Sequence, residues 1–221
     1  MQVVLLGPPG SGKVTQAVEL SSRLGLFHLA TGDILRQEVK NQTALGQEAK
    51  AFMEKGELVP DKLILAMVSS RLESGRDYLW DGFPRTEEQA VGLDALLAVR
   101  SSVVDIAVLL EVPDEVIVER ISGRMFCPGC GANYHRQSKP PKKAGICDQC
   151  AKGLQVRPDD RAEVVENRLR VYRERTEPLV LFYEKKGILA RVDGNRALQA
   201  VTADLATLLE KVRRGQKVLN G

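Results

Sequence analysis

Lys13, Thr15 and Asp81, a set of arginines and four cysteines are the residues whose types and spacing suit chemistry. Lys13 and Thr15 belong to Gly7-Pro8-Pro9-Gly10-Ser11-Gly12-Lys13-Val14-Thr15. The stretch comes after the apolar run Val3-Val4-Leu5-Leu6, read as a buried strand, and precedes a helical pattern that puts Ala17, Leu20 and Leu24 on one face. A glycine-rich turn in that setting reads as a phosphate cradle, a purely structural glycine turn being the plainer alternative. Its glycines let the N–H groups around Gly10, Ser11 and Gly12 meet phosphate oxygens, the helix start adds a partial positive charge, and Lys13 adds a full one. Thr15 offers a hydroxyl to the phosphates or to magnesium. The general form of this loop has Ser or Thr directly after the lysine; here Val14 stands there and the hydroxyl comes one residue later.

Cys127-Pro128-Gly129-Cys130 and Cys147-Asp148-Gln149-Cys150 are separated by 16 residues. Two such knuckles suit a tetrahedral thiolate site for zinc; disulfides or free thiols are the alternatives. The surrounding residues 125–158 hold few aliphatics, so the insert needs the metal to keep its shape. Four ligands close the site, which makes the zinc structural. His135 is not expected to ligate, and Tyr134-His135 is expected to face a ligand or solvent.

Asp81 ends the strand-like stretch Asp77-Tyr78-Leu79-Trp80-Asp81, and Gly82-Phe83-Pro84-Arg85 leaves it. At the C-terminal edge of an open parallel sheet, where ligands sit, such a carboxylate can hold magnesium; capping of Gly82 is the plainer alternative. Arginine presents a planar fork to phosphate. Arg36 could clamp one, although alone it reads as a solvated charge. Arg120 and Arg124 read as a turn apart on one helix, and Arg168 lies inside a long one. His28, in the apolar run Phe27-His28-Leu29-Ala30, reads as a packed or capping histidine.

The elements that must position these groups alternate. Strands are expected over 3–6, 27–30, 77–81, 103–110 and 188–192. Helices are expected over 16–24, from the cap Thr31-Gly32-Asp33, as short pieces within 41–60, and from a cap at Asp61. Further helices are expected over 86–98, from Pro113, over 160–186 with a bend at Pro178, and over 198–212, with a frayed tail at 213–221. The alternation predicts an α/β doubly wound five-stranded parallel sheet. The length of 221 residues allows one large domain or a core with insertions, and a net charge of +3 gives no argument for nucleic acid or membrane partners. No apolar run approaches ~20 residues and no secretory signal is visible, so the cysteines are expected in a reducing compartment.

Taken together the motifs resemble adenylate kinase, of the long bacterial type with a zinc-bearing lid. They are Gly7-x-Pro9-Gly10-x-Gly12-Lys13-x-Thr15-Gln16-Ala17, Thr31-Gly32-Asp33-x-x-Arg36, and Asp81-Gly82-Phe83-Pro84-Arg85-Thr86 with Gln89. Arg120, Arg124, the four-cysteine insert with Tyr134-His135, and Arg157-x-Asp159-Asp160 with Arg168 complete the set. The resemblance covers essentially the whole chain, and in that family the hydroxyl two residues after the lysine is the expected one. The family usually has Gly where this chain has Val14.

The resemblance implies a P-loop core (1–30, 60–124 and 161–221), an NMP-binding flap (31–59) and a zinc-binding lid (125–160). It implies reversible phosphoryl transfer from MgATP to AMP, giving two ADP. ATP would meet Gly10, Ser11, Gly12, Lys13, Val14, Thr15, Arg120, Arg124, Tyr134, His135 and Asn195. AMP would meet Thr31, Gly32, Arg36, Met53, Glu57, Val59, Gly82, Arg85, Gln89, Arg157 and Arg168, the last two also serving the group in flight. Asp81 and Thr15 would serve magnesium and its waters, and Cys127, Cys130, Cys147 and Cys150 would hold structural zinc. A cytoplasmic monomer without nucleic acid or membrane partners is implied. The alternatives are a sister kinase using UMP, CMP or GTP, a relative impaired by Val14, and a nucleic-acid-binding ribbon at basic residues 136–143. The ribbon would need more aromatic residues than Tyr134.

Overall fold

The computed structural model describes residues 1–216; residues 217–221 of the expected frayed tail lie outside them. The chain runs β1 (Gln2–Leu6), α1 (Lys13–Leu24), β2 (Phe27–Ala30), α2 (Thr31–Lys40), α3 (Ala44–Lys55), α4 (Asp61–Ser69) and β3 (Tyr78–Asp81). Then come α5 (Glu87–Ala98), β4 (Ile106–Glu111), α6 (Asp114–Ser122), and the short strands β5 (Arg124–Phe126) and β6 (Asn133–His135). A 3-10 turn (Pro158–Asp160), α7 (Ala162–Val171), a π turn (Tyr172–Thr176), α8 (Pro178–Lys185), β7 (Leu189–Asp193) and α9 (Leu198–Arg213) complete it.

Five strands form one parallel sheet in the order β2-β3-β1-β4-β7. β1, β3 and β4 at the middle of the sheet are buried on both faces, so helices cover both sides. Val4, Leu6, Trp80 and Leu109 pack with Leu93, Leu179 and Tyr183 from α5 and α8. Val3, Leu5, Val108 and Ala190 pack with Ala17 and Leu20 of α1 and Leu205 and Leu209 of α9. β1 is the middle strand, and the chain runs to β3 on one side and β4 on the other. The crevice at its C-terminal end is therefore the switch point where such sheets bind ligands, and residues 7–12 lie there.

Several boundaries differ from those expected. β4 begins at Ile106, because pairing with β1 starts at Val3↔Ile106, and Val103 is solvent-exposed. α2 starts at Thr31 itself; the Thr31 hydroxyl donates to the Gly82 carbonyl at 2.8 Å instead of capping the helix. Asp61 likewise does not cap α4, whose cap position is taken by Pro60; its carboxylate accepts from Gln89 Nε2 at 2.7 Å. The expected short pieces within 41–60 are one helix, α3, with Thr43 Oγ1 accepting from the Gly46 N–H at 3.1 Å. A Cβ on Gly46 would lie 2.1 Å from the Glu38 carbonyl oxygen, so only glycine lets α2 and α3 approach this closely. Arg124 is not on α6. Gly123 ends that helix and Arg124 opens β5, paired antiparallel with His135 on β6.

The long helix of 160–186 does not simply bend at Pro178. It widens before it, into the π turn, where the Glu177 N–H reaches back to the Tyr172 carbonyl at 2.8 Å. Pro178 has no N–H to continue the ladder. The widened turn directs Thr176 inward, where its hydroxyl donates to the Arg85 carbonyl at 2.9 Å. Two segments close over the sheet edge. Lys40 Nζ at the end of α2 donates to the Pro128 carbonyl at 3.1 Å, and Asn167 Nδ2 on α7 donates to the Lys55 carbonyl at 2.6 Å. No helix among the described residues is long and apolar enough to cross a membrane.

Candidate active site

The loop after β1 depends on glycine. Gly7 and Gly10 have φ of 140° and 87°. A Cβ would come within 2.8 Å of the Leu110 carbonyl oxygen at the first and of Ile121 at the second. Lys13 opens α1 and folds back into the hollow. Its Nζ donates to the carbonyl oxygens of Gly7 (2.7 Å) and Pro8 (2.8 Å) and to Ser11 Oγ (3.2 Å). Burial is the main cause of a Lys13 pKa lowered to about 7; Asp81 opposes it, and Arg85, Arg168 and Arg124 add to it. Val14 and Thr15 are half-buried in the first helical turn.

Asp81 is buried at the end of β3, with Oδ2 3.2 Å from His28 Nε2 on β2. His28 is thus more than a packing residue. The alternation of β2 could have shown it sharing an edge with Asp81, but not that the two side chains meet. Arg120 Nη2 donates to the Gly194 carbonyl at 3.0 Å, and a Cβ on Gly194 would lie 3.5 Å from the Ser11 carbonyl oxygen. The turn carrying Asn195 is thereby brought beside the phosphate loop.

A knot of arginines and aspartates lies across from Lys13. Asp160 is 3.0 Å from Arg124 Nε and 3.1 Å from Arg168 Nη1. Asp159 is 3.4 Å from Arg168 Nη1 and 3.8 Å from Arg36 Nη1, and Arg36 also pairs with Asp33. Burial pushes Asp159 up, but Arg168, Arg36, Arg157 and Arg124 outweigh it and hold that carboxyl below its usual range. Asp160 is raised by burial, which Arg124 offsets only in part. Arg85 donates from Nε to the Gly82 carbonyl at 2.8 Å, and burial with Arg168 pushes it down to about 10. Such crowding of cations, with Arg85 and Arg124 made harder to keep charged by their burial, is what an anion site presents to its ligand.

Every residue expected around AMP except Arg157 lines one pocket: Thr31, Gly32, Arg36, Met53, Glu57, Val59, Gly82, Arg85, Gln89 and Arg168. Leu35, Gly56, Leu58, Ile64 and Asp159 complete its walls. Arg157 is buried against the lid strands, donating to Asn133 Oδ1 with its guanidinium 5.9 Å from the Phe126 ring centroid. Burial, with Arg36 and Arg124, lowers it to about 10. Asp159, Asp160 and Thr176 are site residues to which the sequence alone assigns no role. Only the aspartates carried a signal, by coming so soon after Arg157.

The four cysteine sulfurs all lie within 4.8 Å of one another, with Cys127 and Cys150 Sγ 3.3 Å apart and Cys130 and Cys147 Sγ 3.5 Å apart. Four thiols at this spacing fit a tetrahedral ion such as zinc. Tyr134 corrects an expectation. Its ring is buried with Cys127 and Cys147, its hydroxyl 3.5 Å from Cys147 Sγ and accepting from the Asp148 N–H at 2.8 Å. The side chain serves the knuckle and only its main chain is left for a nucleotide. That hydroxyl is the leading cause of a Cys147 thiol lowered to about 6, toward the thiolate a metal takes. His135 does not join the sulfurs; its Nδ1 accepts from the N–H groups of Gln137 and Ser138, both at 3.1 Å.

A model of the family described as adenylate kinase matches residues 5–188. The chain belongs to the adenylate kinase family. The adenylate kinase of Lachnospira eligens is 47% identical over 212 residues, 95% of this chain and 100% of that protein. The adenylate kinases of Methanosarcina mazei and Caldicellulosiruptor saccharolyticus are each 47% identical, over 96% and 95% of this chain and 99% of theirs. For an adenylate kinase, Val14 is a departure; it stands half-buried in a regular first helical turn. Val14→Gly is expected to leave turnover unchanged and to lower Tm by about 1–4 °C, the usual cost of glycine in a helix. Parallel calorimetry and steady-state assays check this; a rise in kcat of about tenfold or more would mean that Val14 crowds the nucleotide.

Proposed function

We propose that this chain catalyses the adenylate kinase reaction, reversible transfer of the terminal phosphoryl group of MgATP to AMP giving two ADP, in adenine nucleotide homeostasis. The observation that supports this most is the convergence of Arg36, Arg85 and Arg168 on one pocket, the last two within electrostatic reach of Lys13. Phosphoryl transfer asks a protein for positioning and charge, not for a general base. An oxygen of the AMP phosphate forms the new P–O bond as the bond between the terminal phosphorus and the bridging oxygen of departing ADP breaks. Arg36 and Arg85 hold the AMP phosphate. Lys13 leaves the loop carbonyls for the ATP phosphates, and Arg120, Arg124, Arg157 and Arg168 neutralise charge on the group in flight. Gln89 and the Gly82 backbone face the AMP base, and Thr31, Met53, Glu57 and Val59 line its pocket.

Residues 31–59 act as flap, 125–160 as lid and the remainder as core. Flap and lid together exclude water that would otherwise hydrolyse ATP. Magnesium enters with ATP. One carboxylate and one hydroxyl, Asp81 and Thr15, are too few oxygens for a resident ion but suit one already carried by phosphates. The lid cysteines hold zinc as a structural ion. The protein works as a cytoplasmic monomer on free nucleotides, with no nucleic acid or membrane partner. The test is ADP formation from MgATP with AMP, UMP and CMP as acceptors. Turnover of ~1–10³ per second with AMP, the usual enzyme range, is expected; a preference for UMP or CMP would overturn the acceptor assignment.

A further inference from the structure

Gln89 is 2% exposed and lines the pocket, so what its amide offers is fixed by its neighbours. A glutamine amide exchanges donor and acceptor by flipping, and the flip state is set by partners whose own roles are unambiguous. Two such partners flank Gln89. The Arg85 main-chain N–H, which can only donate, lies 2.8 Å from Oε1. The Asp61 carboxylate, which accepts, lies 2.7 Å from Nε2. Both require the same state, and together they leave one lone pair on Oε1 and one hydrogen on Nε2 for a ligand. Asp61 does not itself line the pocket, and its carboxylate makes no cap bond to α4.

We propose that Asp61 determines specificity for the acceptor base: by pinning the Gln89 amide it selects a purine with a 6-amino group over its 6-oxo counterpart. The inference rests on the reading of Gln89 as facing the base. A 6-amino purine places a donor beside a ring acceptor; a 6-oxo purine places an acceptor beside a ring N–H. An amide free to flip serves either. An amide held from behind serves one and leaves the other with donor against donor and acceptor against acceptor, which discriminates far better than fit alone.

The test compares AMP with inosine monophosphate, its 6-oxo analogue, as acceptors for wild type, Asp61→Asn, Asp61→Ala and Gln89→Leu. Asparagine keeps the shape of Asp61 but can partner either flip state, so its preference for AMP should fall between those of wild type and Asp61→Ala. In Asp61→Ala only the Arg85 N–H still favours the AMP-reading state, and with the bond to the carboxylate gone the ratio of kcat/KM values is expected to drop by about tenfold, through both a higher KM for AMP and a lower KM for the 6-oxo analogue. KM for MgATP should not move, whereas a merely structural role would weaken both acceptors alike and leave their ratio unchanged. If Gln89→Leu erases the preference but both Asp61 variants keep it, the inference fails while the reading of Gln89 stands. If Gln89→Leu leaves the preference intact, Gln89 does not read the base, and the inference falls with that reading.

Discussion

Lys13→Met is expected to lower kcat by about 10²- to 10³-fold, the loss seen when one positioned electrostatic group is removed from a closed site. In the free protein Lys13 is confined among loop oxygens and surrounded by arginines, with its pKa lowered to about 7 from an ordinary 10.5. Bringing phosphates to the loop adds negative charge to that of Asp81 against the cost of burial, so the Lys13 pKa rises again on binding. Above about 7, until the raised pKa of the complex is passed, the complex therefore holds more protons than the free protein, so binding takes up a proton and affinity weakens as pH rises through that window. Titration calorimetry at pH 8, in two buffers with different ionisation enthalpies, should show uptake in wild type and none in Lys13→Met. Equal uptake in both would assign the proton to another group, and kcat within about threefold of wild type would remove Lys13 from the chemistry.

Stripping the lid of metal should have the largest effect on stability. The lid's apolar centre amounts to Cys127, Tyr134 and Cys147 with Met125, Ala132 and Leu154 against them. Its two strands, β5 and β6, are three residues each. Nothing of that size folds unaided, whereas structural thiolate sites contribute on the order of 10 kcal/mol or more. Chelation is expected to add an early melting transition, separate from that of the core, and to expose 125–157 to protease. Turnover should fall by about tenfold or more as Arg124 and Arg157 lose their anchorage and water enters. The phosphate loop and the sheet should persist, since their packing involves no lid residue. A chelated protein with unchanged melting and unchanged lid proteolysis would mean that the sulfurs hold no structural ion.

The parts legible in the sequence are those where one physical signal suffices. Buried parallel strands announce themselves as apolar runs, the glycine-rich loop as glycines before a lysine, and the four-sulfur cluster as paired thiols. Asp81 is readable because it ends a strand. The illegible parts depend on pairs brought together by folding. The His28 contact with Asp81, the Asp61 contact with Gln89 and the Thr176 contact with the Arg85 carbonyl each join residues whose local sequence suggests something plainer. Boundaries shift for a related reason. Thr31 and Asp61 have the chemistry of helix caps, but a stronger tertiary partner is within reach of each. The turn from α6 into β5 is hidden because helical spacing continues to Arg124 while Gly123 ends the helix.

The π turn from Tyr172 to Thr176 has a consequence for chain length. It accommodates one residue more than an α-helical path would need. Removing any one residue there would let the helix close up as a regular α-helix, without the widened turn that directs Thr176 inward. Thr176 would leave the Arg85 carbonyl, although no residue touching substrate had been changed. Over this stretch the residue count is as binding as residue identity, and loop-trimming schemes that shorten it by one would disturb the arginine they never aimed at.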